Sequence, residues 1–208
     1  TVLAHNNTGY KNLLKLVSIA HMEGFYYKPR IDDALLAKYN EGLIILSGCP
    51  NSKISRDITD GNLLKAKQRA GWLKEVFGDR FFMEIQQHDQ IPDLPTINTN
   101  TIEISKSLDI PLVATNDSHY TAREHAHLQD IRMCISTNST ISDPKRLKME
   151  GDSFYLKSGE EMMELFKELP DAITNTQRIA ERCEIVLPFG EIHLPRYPVP
   201  DGIDVDEY

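Results

Sequence analysis

Asp117 and His119 stand one residue apart in the run Ala114-Thr115-Asn116-Asp117-Ser118-His119. Alternate residues on an extended backbone point the same way, so a carboxylate oxygen and an imidazole nitrogen can face one ion. Those donors suit zinc, manganese or iron. The same pair also reads as a helix-capping Asp and a solvent-facing His in a loop, and spacing alone leaves both open. Cys49 follows Gly48, which permits a tight turn. Its thiolate can bind zinc, or it can be a small buried filler. His88 closes a run in which Glu84 and Gln86 share its side. It can ligate a metal, steady a ligand from behind, touch a phosphate, or be a polar loop residue. His127 is a further candidate for a place behind the ligands, whereas His125 reads as solvated. Arg30, in Tyr26-Tyr27-Lys28-Pro29-Arg30, can meet a phosphate or stack on exposed tyrosines. His5, His21 and His193 have no neighbours that make a site. Cys134 and Cys183 fall in helical patterns and read as core filler.

Three elements must position these residues. Leu43 to Ser47, Phe81 to Gln86 and Pro111 to Thr115 are short apolar runs, and each leads into candidate donors. Helical patterns separate them. The patterning predicts helices over 61–77, with Leu64, Trp72, Leu73 and Val76 as the core face, and over 94–108. Strands alternating with helices form a parallel sheet or barrel whose strands end on one face. Cys49, His88, Asp117 and His119 are therefore expected to converge. Asn6-Asn7-Thr8 offers caps for a helix whose apolar face holds Leu13, Leu14, Leu16, Val17 and Ile19, and 31–39 reads as another helix. Thr121 and Glu124 have the spacing of a capping box opening a helix from Ala122 to Ile135. The sequence then divides into 1–153, a helical segment 154–183, and an extended, proline-rich connector 184–208.

Composition narrows the function classes. The chain has 208 residues, 40% of them hydrophobic, which supports one large domain with an appendage. A formal net charge of -8 disfavours tight binding of a phosphate backbone by the chain alone. Its three cysteines are widely spaced, which reads as a reducing, cytoplasmic setting without disulfides. No signal peptide or membrane-spanning run is present, so no membrane partner is expected. The chain starts without Met and ends in mid-flow at Asp206-Glu207-Tyr208, which reads as an excised piece of something larger. It has no glycine-rich phosphate loop, no G-x-S-x-G elbow and no carboxylate pair suited to polymerase metals.

Longer motifs carry a resemblance. Asn6-Asn7-Thr8-Gly9-Tyr10-Lys11-Asn12-Leu13, Gly24-Phe25-Tyr26-Tyr27-Lys28-Pro29-Arg30-Ile31-Asp32 and Leu46-Ser47-Gly48-Cys49 are three of them. Val113 to Tyr120, Phe154-Tyr155-Leu156-Lys157-Ser158 and His193 to Pro198 complete the set. In that order they are similar to the bacterial replicative DNA polymerase III alpha subunit family, in its N-terminal PHP (polymerase and histidinol phosphatase) domain and the segment leading into the palm. The resemblance implies an α/β fold, an incomplete distorted β/α (TIM-like) barrel of the PHP type, with a metal cluster on its carboxyl face. It maps the family's ligands onto Cys49, Asp117 and His119 and places the remainder ahead of Thr1. His88 matches a recurrent family position outside the ligand set.

The implied parent is a DNA-directed DNA polymerase that uses magnesium at carboxylates beyond Tyr208. Its PHP region would be a zinc- or manganese-dependent phosphoesterase-type module linked to 3′–5′ exonuclease proofreading. The implied partners are DNA and other holoenzyme subunits, namely a proofreading exonuclease and the sliding clamp. Two further readings stand beside this one. The region can be a non-catalytic module that stabilises the polymerase or docks a separate exonuclease. A free-standing phosphatase fits poorly, because the tail after Cys183 reads as a lead-in to another domain. The isolated chain is expected to be inactive, and to expose apolar surface.

Overall fold

The computed structural model describes every residue except Asp89, His193, 195–197 and 205–207. The His193 to Pro198 motif therefore lies largely outside the described residues. A four-stranded sheet runs in the order β1 (Val2–Ala4), β2 (Leu43–Leu46), β3 (Phe81–Ile85), β4 (Leu112–Ala114). β1 is antiparallel to β2, pairing Val2 with Ile45. The other pairs are parallel, with Ile45 opposite Phe81 and Met83 opposite Leu112. The sheet is open, as an incomplete barrel of the expected α/β type would be.

Helices fill the crossovers. α1 (Asn7–Met22) and α2 (Asp33–Lys38) link β1 to β2. α3 (Lys53–Thr59) and α4 (Leu63–Phe77) link β2 to β3, and α5 (Leu94–Leu108) links β3 to β4. Parallel neighbours need such crossovers, and each returns the chain to the same sheet edge. That is why β2, β3 and β4 all point their carboxyl ends one way. α6 (Ala126–Thr137), α7 (Gly159–Leu165) and α8 (Pro170–Glu181) follow.

β2, β3 and β4 are buried except at Leu112, while β1 is only partly buried, and the alternation along the strands splits the core. Leu43, Ile45, Phe81 and Met83 face α3, α4 and α5, meeting Ile54, Ile58, Ala70, Leu73, Phe77 and Ile104. Ile44, Leu46, Phe82 and Val113 point the other way and are closed by Ile179 of α8. α8 also covers the β4 side of the sheet. Its Asn175 donates a side-chain N–H to the Leu112 carbonyl at 2.7 Å. A strand carbonyl that would otherwise face outward is thereby satisfied.

Several local expectations need correction. β1 adds a strand before Leu43, and α3 adds a helix between Cys49 and Leu63. Leu64 is 71% exposed, because α4 turns Ala66, Ala70, Leu73 and Phe77 inward instead. Trp72 and Val76 pack at the margin of that core. In α1, Leu16 is buried while Leu14 and Val17 are about half exposed; the helix is capped by Asn6, whose side chain accepts from Gly9 N–H at 2.8 Å. Cys134 is buried as expected, but Cys183 lies beyond the end of α8 and is exposed.

The Thr121–Glu124 capping box does not form. Leu156 N–H donates to the carbonyls of Tyr120 (3.2 Å) and Thr121 (3.3 Å). That pairing fixes Tyr120 and Thr121, and the chain then passes through a 3₁₀ turn at Arg123–His125 into α6 at Ala126, with no side-chain cap at either start. A full capping box instead opens α7 at Ser158 and Glu161.

Candidate functional site

The carboxyl ends of β2 and β4 deliver their donors into one cleft. Cys49, Asp117 and His119 line a cavity of about 410 Å³. Its remaining wall includes Ile91, Gln129, Met133, Lys148, Met149 and Phe154. β2 leads into Gly48, whose φ of 90° lies in the left-handed region. Only glycine adopts that turn without strain, and the turn aims the next residue, Cys49, at the cleft. Cys49 is half-buried and free of any disulfide.

β4 leads into Asp117, which holds a left-handed backbone at φ 48°. Asp tolerates this better than most residues, but the conformation is still costly and persists where surroundings hold it. The Asp117 carbonyl accepts from His119 Nδ1 at 2.7 Å. A carbonyl can only accept, so Nδ1 carries the proton and Nε2 keeps its lone pair. That is the tautomer a metal requires from imidazole. Burial pushes the Asp117 carboxyl above its ordinary range; His119 partly offsets this, and Glu84 adds to it.

The loop is held by a segment far along the chain. His119 N–H donates to the Phe154 carbonyl at 2.8 Å. Phe154 N–H donates to the Tyr120 hydroxyl at 3.2 Å. Lys157 Nζ donates to Asn116 Oδ1 at 3.0 Å, and Asn116 Nδ2 donates to the Tyr155 carbonyl at 2.8 Å. The Phe154 ring packs edge-on to His119 at 5.6 Å between centroids and 88° between planes. Its other contact is His88, stacked at 4.2 Å and 21°. His88 is buried, with Nδ1 2.9 Å from Ser153 Oγ. So His88 stands behind Phe154, which stands beside His119.

The other sequence candidates lie elsewhere. His127 lines a neighbouring cavity of about 210 Å³ with Tyr120, Asp130 and Lys148, and its Nδ1 donates to the Glu124 carbonyl at 2.8 Å. Arg30 stacks over Tyr26 at 5.1 Å and does not line the cleft. Phe154 is a residue that spacing did not single out, and Glu84, placed by spacing on the side of His88, was not assigned a role of its own. The signal for Glu84 was present, a charged residue inside an otherwise apolar strand.

The donor chemistry suits a divalent ion: one thiol, one carboxylate and one imidazole of the right tautomer. The geometry is looser. Among the described residues no three His, Cys, Asp or Glu side chains are gathered closely enough to hold an ion. The three donors share a cleft without forming a closed coordination shell.

Comparison with known proteins accords with this architecture. Residues 1–88 match the PHP domain family. Over 200 residues, 96% of its length, the chain is 50% identical to DNA polymerase III subunit alpha of Borreliella burgdorferi. It is 43% identical over 208 residues to the Treponema pallidum subunit and 38% identical over 214 residues to that of Thermus aquaticus. The chain spans 17% to 18% of the length of these relatives. Its first 88 residues thus match the PHP domain family, and over nearly its whole length the chain is similar to DNA polymerase III alpha subunits.

Proposed function

We propose that this chain serves as the PHP region of a replicative DNA polymerase alpha subunit, and that its cleft is a metal-binding, phosphoester-cleaving face. The observation that carries the reading is the shared cleft of Cys49, Asp117 and His119, at the carboxyl ends of parallel strands. When bound, zinc or manganese would activate water and offset charge at phosphorus. Cys49 and Asp117 would supply anionic donors, and His119 a neutral nitrogen whose orientation is set by the Asp117 carbonyl. Phe154 holds the His119 ring in place and, with Met133 and Met149, gives the cleft an apolar wall. Lys148, at its margin, offers a cation to a phosphate.

In this proposal DNA synthesis belongs to the whole polymerase, which works on DNA with its holoenzyme partners, and the PHP region removes 3′ nucleotides. The test is hydrolysis of 3′-labelled DNA by the full-length subunit with manganese or zinc. Cys49→Ala and Asp117→Ala should each reduce it at least about tenfold, as loss of a metal ligand does. The 208-residue chain alone should show no sustained turnover. Unchanged hydrolysis in both variants would overturn the reading.

One observation favours a second reading. The donors are not drawn into a closed shell, which fits a module that supports the polymerase or docks a separate exonuclease. In that case Asp117→Ala would leave nuclease activity intact while lowering the stability of the full-length subunit.

A further inference from the structure

Glu84 is not one of the cleft's three donors, yet it touches the strand ends that carry them. Its side chain is buried, 8% exposed. Oε2 accepts from Gly48 N–H at 3.0 Å. Oε1 accepts from Gln86 Nε2 at 3.0 Å and from the Thr115 hydroxyl. The Thr115 oxygen in turn accepts from Gln86 Nε2 at 3.1 Å, and Glu84 N–H donates to Ser47 Oγ at 2.8 Å. Gly48 immediately precedes Cys49, and Thr115 lies two residues before Asp117. One side chain on β3 therefore ties the end of β2 to the end of β4.

The partners are all neutral donors. Among the described residues none of the ion pairs includes Glu84. A buried carboxylate without a cation is expensive even when hydrogen-bonded. Hydrophobic packing would link three strands at lower cost, and the neighbours Phe82 and Met83 show that this strand accepts it. An acidic side chain here makes physical sense if a cation is to sit nearby.

We propose that Glu84 is a positioning residue of the cleft. It fixes the Cys49 turn relative to the Asp117–His119 loop, and its charge draws a divalent cation to them. This rests on the metal reading above, and the two can fail separately. Two substitutions divide the roles. Glu84→Gln keeps the reach and can still accept the Gly48 N–H, but it lacks the charge. Glu84→Asp keeps the charge but is one methylene too short to hold Gly48.

The probe is Zn²⁺, titrated into the 208-residue chain against a chromophoric chelator, alongside amide hydrogen exchange at Gly48. Glu84→Gln should weaken zinc binding about tenfold, within the range for groups that support metal ligands. Its Gly48 exchange should stay within about threefold of wild type. Glu84→Asp should speed Gly48 exchange about tenfold or more, because a hydrogen bond to a charged group is lost. Gly48 exchange unchanged in Glu84→Asp would overturn the tie between the strand ends. Zinc affinity unchanged in Glu84→Gln would overturn the charge role. A wild-type chain that binds no zinc would remove the metal reading and the charge role together, while Gly48 exchange would still decide the tie.

Discussion

Phe154 offers the sharpest test of how the cleft is held. Its ring is 4% exposed and packs between two imidazoles, His88 at 4.2 Å and His119 at 5.6 Å. Its backbone anchors the loop at both polar groups, accepting from His119 N–H and donating to the Tyr120 hydroxyl. Phe154→Ala leaves the backbone bonds possible but removes the ring. Truncating a buried Phe costs about 3–5 kcal/mol, including the cavity left behind. Phe154→Leu keeps much of the volume and loses mainly the two ring pairs. At about 0.5–1.5 kcal/mol per pair, that loss is about 1–3 kcal/mol.

Urea unfolding followed by circular dichroism measures both. Nitrogen-resolved NMR of the imidazoles adds the readout that matters for the site. In wild type His119 should show a protonated Nδ1 and a bare Nε2. In Phe154→Leu the His119 signals should move towards a mixture of tautomers, as the ring loses its edge contact. A loss below 1 kcal/mol in Phe154→Ala, with His119 unchanged, would refute the reasoning that this ring orders the loop.

Three further outcomes follow from the same geometry. Asp117 has a raised pKa in the folded chain, so between its ordinary value of 3.8 and the folded value the native state binds more protons and stability falls as pH rises. Asp117→Asn should therefore raise the Tm of the metal-free chain at pH 7, with the gain vanishing below pH 3.8; a gain that persisted there would contradict the burial argument. Asn175→Ala should cost about 1 kcal/mol in urea unfolding, since the partly buried Leu112 carbonyl loses its donor. Ser158→Ala should cost about 0.5–2 kcal/mol by removing the capping box of α7, whereas Thr121→Ala, where no box forms, should cost far less by the same assay.

The contrast between those two caps shows where sequence reading stops. Thr121-x-x-Glu124 and Ser158-x-x-Glu161 look equivalent locally. Only the second forms, because Leu156 pairs with the carbonyls of Tyr120 and Thr121, 36 and 35 residues away, and the chain enters α6 through an uncapped 3₁₀ turn at Arg123–His125 instead. Strands β2, β3 and β4 were legible because each is an apolar run bounded by helical periodicity. β1 was not, being only partly buried and antiparallel to its neighbour. In α4 the leucine at 64 drew attention that belonged to Ala66 and Ala70, whose small side chains let the helix lie close on the sheet. For the site, Cys49, Asp117 and His119 were visible through their position after strands. Phe154 was not, since its partners His88 and His119 are distant in sequence and no local period links them.

The most direct measurement is cobalt binding by the 208-residue chain, because a thiolate-to-cobalt charge-transfer band reports Cys49 itself. The expected result is a weak, saturable band that Cys49→Ala abolishes and that His119→Ala or Asp117→Ala displaces to higher cobalt concentrations. A wild-type chain that shows no such band, or one that survives Cys49→Ala, would contradict the assignment of the cleft as a metal site.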